Sequence, residues 1–334
     1  MSRVAGVDPG TVSFDLCVLD AGEVVVERSF PTADVGTDPA VLVDALAAHG
    51  PFEVVVGPAG YGLPLVPVSQ VGERELALML LVRADEEHGR FGVGGMRSIV
   101  RALIAAELPL VFGPGAIHLP TIPAYRKWNR IDLGTADKVA SAALCIAEQA
   151  RRLGVAFDET SFVMLELGGA FSAALAVDGG RIVDGMGGSA GPIGARACGA
   201  MDAEVAYLIG PALSKRTVFS GGALDGVEGW LALEEGAAKA ALALTVGAPE
   251  PREILLAGRN APRLADALGA RLGHVAPVRL AEGGKAAAHG AAVLADGLAG
   301  GRFAPLVERM GVREASGSVL DHLRLDGAGS IRLR

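Results

Sequence analysis

Cysteine is scarce in this chain: Cys17, Cys145 and Cys198 are the three in 334 residues, far apart and without a C-x-x-C spacing. Neither a disulfide framework nor a zinc or iron–sulfur site is indicated, and Cys17 and Cys145, in apolar surroundings, are expected in the core. Positive charge is also short. Thirty Lys and Arg face 38 Asp and Glu, a net charge of −8, and basic residues gather only between Arg126 and Arg130. That balance excludes general affinity for nucleic acid or an anionic membrane and leaves a small molecule as the expected partner. Long hydrophobic runs are missing as well. Even Ala102 to Tyr125 is interrupted by Glu107, His118 and four prolines, so no segment reads as a membrane span. The opening Met-Ser-Arg leads into a strand without a signal-peptide apolar region, and a cytoplasmic protein is expected.

What is present is a soluble α/β composition, 51% hydrophobic with 47 glycines, in a chain longer than one core usually supports. Two similar segments lie about half a chain apart. Val4 to Asp20 and Phe162 to Gly180 each read as an apolar strand, an acid, a tight glycine turn and a second apolar strand. An acid followed by glycine suits a phosphate site with a metal. Glycine lets backbone N–H groups approach phosphate oxygens, Thr11 and Ser13 add hydroxyls, and Asp8 or Glu166 can hold Mg²⁺ directly or through water. Either copy alone reads as an ordinary hairpin; the pair suggests two similar lobes with a nucleotide between them.

Strands and helices alternate along the rest of the chain. Glu23 to Phe30 reads as a third strand, Asp38 to His49 as a helix, and Phe52 to Val56 as a buried strand ending in the loop Gly57-Pro-Ala-Gly-Tyr-Gly62. Ligands favour such strand ends in α/β sheets. Met96 to Glu107 and Thr135 to Leu153 have helical spacing, with an extended, proline-marked stretch from Pro109 to Pro123 between them. The second half repeats the scheme with a strand at Arg181 to Asp184, helices at Ala200 to Ile209 and Trp230 to Val246, and a strand at Glu253 to Ala257. A helix from Pro262, a short strand at Val278 to Leu280 and an alanine-rich helix from Lys285 follow. Val307 to Arg313 and Val319 to Leu325 read either as a final helix and strand packed on a lobe or as a segment contributing to a dimer contact.

On these residues the chain resembles the acetate and sugar kinase, heat-shock ATPase and actin superfamily. Within it, the chain is similar to the acetate and butyrate kinase branch, in particular to a group described as predicted butyrate kinases. Val7-Asp8-Pro9-Gly10-Thr11 matches the first phosphate motif, Leu165 to Ala170 the second, Ile254 to Asn260 the adenosine motif, and Thr135 to Ala150 and Lys285 to Leu298 the two connecting helices. The resemblance implies an α/β fold of two ribonuclease H-like lobes, the duplicated actin-like ATPase fold, spanning residues 1–150 and 151–334, with the extreme C-terminus free to pack back on the first lobe. It also implies ATP and Mg²⁺ as cofactors, a short carboxylic acid as substrate with an acyl phosphate product, and a homodimer. Asp8, Glu166 and Glu282 would hold the metal. Gly10, Thr11, Ser13, Gly168, Gly169, Gly258, Arg259 and Asn260 would bind the nucleotide. Arg196, in Gly194-Ala-Arg-Ala-Cys-Gly, occupies the position of the branch's catalytic arginine, where a guanidinium offsets charge on the transferring phosphoryl group; a solvated loop arginine is the plain alternative.

Asp137 resembles the acid of Gly-Ala-Asp-Arg in type III pantothenate kinases and could orient a nucleophile, while a helix-start acid matching the dipole reads equally well. Glu282, in Glu282-Gly-Gly-Lys285, carries the same pair of readings. Ser220-Gly-Gly-Ala223 reads as a turn or a phosphate loop, and His289 as a helix residue. The chain departs from the branch at three places. Leu133 stands where acetate kinases have histidine, Gly57-Pro-Ala-Gly60 where the branch has a basic residue, and Glu166 where many relatives have Asp. A carboxylate substrate would then need Arg126, Arg130 or His118 to reach the cleft. A hydroxyl kinase with Asp137 as base, or an ATP-driven assembly switch, are the other functions the residues allow. An activator ATPase of radical dehydratases would need cysteines for a bridging cluster, and none is suitably placed.

Overall fold

A computed structural model describes residues 2–85, 93–282 and 285–334. Gly283 and Gly284 of the segment between Glu282 and Lys285 lie outside the described residues.

The first half begins with three antiparallel strands: β1 (Arg3–Pro9), β2 (Ser13–Asp20) and β3 (Glu23–Pro31). Two short helices, α1 (Thr32–Thr37) and α2 (Ala40–His49), lead to β4 (Val54–Gly57), which joins β1 in parallel. β5 (Val66–Pro67), α3 (Glu73–Leu80), α4 (Val93–Ala105) and β6 (Leu110–Phe112) complete a sheet of order β3-β2-β1-β4-β6-β5. After α5 (Ala124–Lys127) comes the long α6 (Ala136–Leu153), with Thr135 at its N-cap and Gly154 in the left-handed conformation at its end.

The second half repeats the plan. β7 (Ser161–Leu167), β8 (Ser172–Asp178) and β9 (Arg181–Met186) form the antiparallel hairpins, followed by α7 (Ala203–Ile209), α8 (Lys215–Val218) and α9 (Gly229–Leu244). β10 (Glu253–Ala257), α10 (Ala261–Leu272), β11 (Val278–Leu280), α11 (Ala286–Leu298) and α12 (Ala304–Met310) end the regular structure. The sheet order is β11-β10-β7-β8-β9, with β10 parallel to β7. Each sheet is thus a three-strand meander whose first strand is flanked by a parallel neighbour. The register also slips at corresponding places, between Val18 and Leu19 in β2 and between Ala176 and Val177 in β8.

The two central strands follow a common logic: β1 and β7 are apolar on both faces because both faces are covered. On the outer face of the first sheet, Ala5, Val7 and Leu16 pack with Leu42, Leu46 and Leu103 of the neighbouring helices; on the outer face of the second, Val163 and Leu165 pack with Ala237 and Leu264. Between the sheets, α6 and α11 cross and share the largest core with Met164, Leu175 and α12. α11, from the second half, lies directly on β1. A methyl group on Gly6 would sit 2.2 Å from the Ala292 nitrogen, and one on Gly290 only 1.9 Å from the Ala140 oxygen. Gly6 thus lets α11 lie against the backbone of β1, and Gly290 lets the crossing helices α6 and α11 touch backbone to backbone.

Two expectations change. Residues 319–325 form turns rather than a strand, with Val319 buried in the central core. Pro109 to Pro123 is not uniformly extended, since it holds β6 and a 3₁₀ turn at Ala116–His118. The last residues return to the first half, where Leu333 bridges Arg83 and the Arg334 N–H donates to the Val82 oxygen at 3.1 Å.

Candidate active site

The fold places four chain segments around one cleft: the β1–β2 turn, the β7–β8 turn, the N-terminus of α6 and the loop after β9. β1 delivers Asp8 at its carboxyl end, paired across the hairpin with Asp15. β7 delivers Glu166 at the equivalent position, paired with Ala173. α6 contributes Asp137 and Lys138 in its first turn.

These charged groups converge. Lys138 Nζ donates to Asp137 Oδ2 and lies 3.1 Å from Glu166 Oε2. The second contact is an ion pair without hydrogen-bond alignment, because Glu166 Oε2 is buried with no hydrogen-bond partner. Thr135 Oγ1 donates to the other Asp137 oxygen, Oδ1, so the N-cap hydroxyl holds the acid rather than capping the helix. Burial, reinforced by the nearby charges of Asp137, Asp15 and Glu166, pushes the Asp8 carboxyl well above the usual range against the pull of Lys138. Glu166 is raised in the same way, by burial first, with Lys138 opposing and Asp137 adding to it. For Lys138 burial acts downward, yet Asp137, Glu166 and Asp8 outweigh it and hold the ammonium firmly protonated. Three carboxylates therefore share one ammonium, an arrangement with a deficit of positive charge.

The turns themselves face one another. A methyl group on Gly169 would lie 3.6 Å from both Thr11 Oγ1 and Arg196 Nη2, so the first turn, the second turn and the arginine loop meet at one point. Arg196 is exposed, and its Nε donates to the Gly169 oxygen at 3.0 Å, which aims the guanidinium along the turn. Behind the second turn, Gly258 has φ +90°, and any side chain there would run into the Leu167 oxygen at 2.6 Å and Glu166 Oε1 at 2.7 Å. Asn260 Nδ2 donates to the Gly168 oxygen at 2.7 Å and its backbone N–H to Leu167. Gly258 and Asn260 thus brace the glycine turn, while Arg259 is exposed. One helical turn on, Arg263 stacks over the Trp230 ring at 3.9 Å.

Beside Asp8 a cavity of about 30 Å³ opens among Val7, Gly57, Ala59, Asp137 and Ala291. That space holds about two waters. Its charged lining is Asp8 and Asp137. Arg126, Arg130 and His118 do not line it: Arg126 donates to the Val183 oxygen at 2.7 Å on β9, Arg130 is exposed, and His118 is buried with Nδ1 3.2 Å from the Gly115 oxygen.

Of the residues singled out in the sequence, Asp8, Gly10, Thr11, Asp137, Glu166, Gly168, Gly169, Arg196, Gly258 and Asn260 are gathered around this cleft. Ser13 turns its hydroxyl to Asp15, to which it donates at 3.1 Å. Glu282 stands apart. Its carboxylate pairs with Arg151 and its N–H donates to Glu148, about 16 Å along α6 from Asp137 at 1.5 Å per residue. Arg151 lies one α6 turn past Glu148 and captures the acid expected at the metal. Lys138 was not singled out; its one trace in the sequence is the Asp-Lys pair opening the helix.

The residues present fit a divalent cation at Asp8 and Glu166. Glu166 Oε2 is a buried acceptor without a hydrogen bond, and the acids outnumber the ammonium. No group of three or more His, Cys, Asp or Glu side chains among the described residues could by itself hold a metal. Mg²⁺ commonly binds through one or two carboxylates and completes its shell with substrate phosphates and water.

The duplicated sheets, the crossed helices and the facing acid–glycine turns define a two-lobed α/β protein with the fold of solved acetate and propionate kinases. Acetate kinase from Entamoeba histolytica superposes with a TM-score of 0.56 at 12% identity, over 82% of this chain and 87% of that one. A propionate kinase from Francisella tularensis subsp. tularensis SCHU S4 gives 0.58 at 12% identity over 87% and 99%, and Porphyromonas gingivalis acetate kinase 0.52 at 12% over 86% and 98%. At such identity the likeness is one of fold. Residues 6–325 match a single family model, and the chain belongs to that family, described as Protein of unknown function (DUF1464). No curated protein matches the sequence. Among the described residues no helix is long and apolar enough to cross a membrane.

Proposed function

We propose that the protein is an ATP- and Mg²⁺-dependent phosphotransferase acting on a small molecule. The observation that carries this reading is the meeting of Thr11, Gly169 and Arg196 at one point, with Asp8 and Glu166 behind the two turns. Backbone N–H groups of both turns would cradle the β- and γ-phosphates, Asp8 and Glu166 would hold the metal, and the Gly258–Asn260 loop would take the nucleoside. Magnesium, when bound, neutralises phosphate charge and orients the leaving group. Arg196 would offset charge on the transferring phosphoryl group, a planar bidentate task for which guanidinium is better suited than ammonium.

The acceptor in this reading is a short carboxylate, as the resemblance to acetate and butyrate kinases implies. One of its oxygens attacks the γ-phosphorus, the bond from that phosphorus to the β-bridging oxygen breaks, and ADP leaves with no proton to move. With the Lys138 ammonium already paired to Asp137 and Glu166, Arg196 would be the cation to face it. A second reading is favoured by the cavity beside Asp8, whose charged lining is two carboxylates. A hydroxyl acceptor needs a base rather than a cation, and Asp137 would take its proton and pass it to water.

The test is ADP formation by the purified protein with Mg–ATP across short carboxylates and small alcohols, with hydroxylamine present to trap any acyl phosphate. Hydroxamate from one carboxylate establishes the first reading. Turnover with an alcohol, lost in Asp137→Asn, establishes the second. Stimulation by no small molecule, with ATP still bound, would overturn the kinase proposal in favour of a protein-coupled ATPase.

A further inference from the structure

Lys138 is held unevenly. Its ammonium donates an aligned hydrogen bond to Asp137, whose other oxygen is fixed by Thr135, so that end of the contact is anchored within one helical turn. The contact to Glu166, at 3.1 Å, lacks alignment and leaves Glu166 Oε2 without a hydrogen bond. It also joins two different parts of the fold, α6 of the first half and β7 of the second. Among the described residues, Lys138 supplies every ion pair that Asp137 and Glu166 make. Its side chain is 14% exposed, as is that of Glu166, so water compensates neither charge well. Asp8 lies close enough to feel the same ammonium.

We propose that Lys138 stands in for the divalent cation while nucleotide is absent. Its ammonium occupies the centre of charge between Asp137 and Glu166, excludes a free metal ion, and releases Glu166 when Mg²⁺ arrives with the phosphates. The strong contact to Asp137 keeps the lysine in place through the exchange; the poorly aligned contact to Glu166 is the one that opens. Metal entry is thereby made contingent on nucleotide. A free ion would have to compete with the ammonium for Glu166, whereas an ion carried by ATP would bring phosphate oxygens as further ligands. The ammonium, freed from Glu166, remains beside the incoming charge as a positioning group. This inference rests on the assignment of Asp8 and Glu166 as the metal-holding residues.

The probe is Mn²⁺ alone, titrated into the full chain without nucleotide and followed by electron paramagnetic resonance. Lys138→Met removes the charge at similar length, and it is expected to bind Mn²⁺ at least about tenfold more tightly than wild type, which corresponds to about 1.4 kcal/mol. Lys138→Arg keeps the charge and should bind as weakly as wild type. Equal affinity in wild type and Lys138→Met, or tight stoichiometric Mn²⁺ binding by wild type without nucleotide, overturns the proposal. Should Lys138→Met fail to fold by circular dichroism, Lys138→Gln carries the same expectation, and the wild-type titration stands by itself. Glu166→Gln and Asp8→Asn separate the two levels of inference. If neither weakens Mn²⁺ binding in the presence of ADP, the metal assignment fails. If both do and Lys138→Met shows no gain, the lysine proposal alone fails.

Discussion

Gly290→Ala places a methyl group where the two connecting helices touch. The added carbon would lie 1.9 Å from the Ala140 oxygen, 2.4 Å from its carbonyl carbon and 3.1 Å from the Ser141 nitrogen. Ordinary contact begins near 3.4 Å, so α6 and α11 must separate by about 1.5 Å, and the obstruction is helix backbone rather than a flexible side chain. Overpacking of this kind costs about 3 kcal/mol, the upper part of the usual range. Replacing a mid-helix glycine by alanine returns about 1 kcal/mol of helix propensity. The net loss is about 2 kcal/mol, a fall in Tm of about 4 °C at roughly 2 °C per kcal/mol for a chain of this size. Activity should suffer more than stability. Ala140 is two residues from Lys138, so a shift of α6 moves Asp137 and Lys138 away from Glu166, and a misplacement of about 1 Å can cost on the order of a hundredfold in rate. The assays are thermal unfolding by circular dichroism and steady-state ATP turnover on the same preparation. A variant with wild-type Tm and wild-type turnover would refute the view that this backbone contact sets the geometry of the site.

Arg196→Ala should lower turnover about 10²–10³-fold while leaving Tm nearly unchanged, since the side chain is exposed; Arg196→Lys should recover only part of the loss, because the bidentate geometry is not restored. Glu148 bears on stability instead. Burial raises its pKa to about 7, the Glu282 N–H opposing this and the Glu282 carboxylate adding to it. The folded chain thus keeps a proton that the unfolded chain sheds near 4.5, so this group's contribution to stability falls as pH rises from about 4.5 to 7 and is level above. In Glu148→Gln that fall should vanish, and urea midpoints at pH 5 and pH 8 would then show a larger advantage of the variant over wild type at pH 8. An unchanged difference between the two pH values would mean that Glu148 is not the group responsible.

The parts of this fold that could be read in the sequence are local ones. The meanders rest on alternating or continuous apolar residues closed by Asp20-Ala-Gly22 and Asp178-Gly-Gly180, and these signals act within one hairpin. The strand ends carrying Asp8 and Glu166 came with them, as did the helix start at Thr135. What could not be read depends on pairs remote in the chain. Nothing in the sequence joins Gly290 to Ala140, although their contact fixes how the lobes meet. Glu282 looked like an acid at a helix start next to a metal; Arg151, 131 positions away, decides otherwise. Lys138 stood beside a singled-out acid, but its tie to Glu166 across the cleft is visible only once α6 and β7 are brought together.

Calorimetric titration of ATP into the wild-type chain and Asp8→Asn, with and without Mg²⁺, tests most directly whether the cleft between the two glycine turns is a Mg²⁺-nucleotide site. The predicted result is binding by wild type that strengthens with Mg²⁺, and at least about a tenfold loss of that metal-dependent affinity in Asp8→Asn, or about 1.4 kcal/mol. Wild-type protein that binds no ATP, or an Asp8→Asn variant that binds Mg–ATP as wild type does, would contradict it.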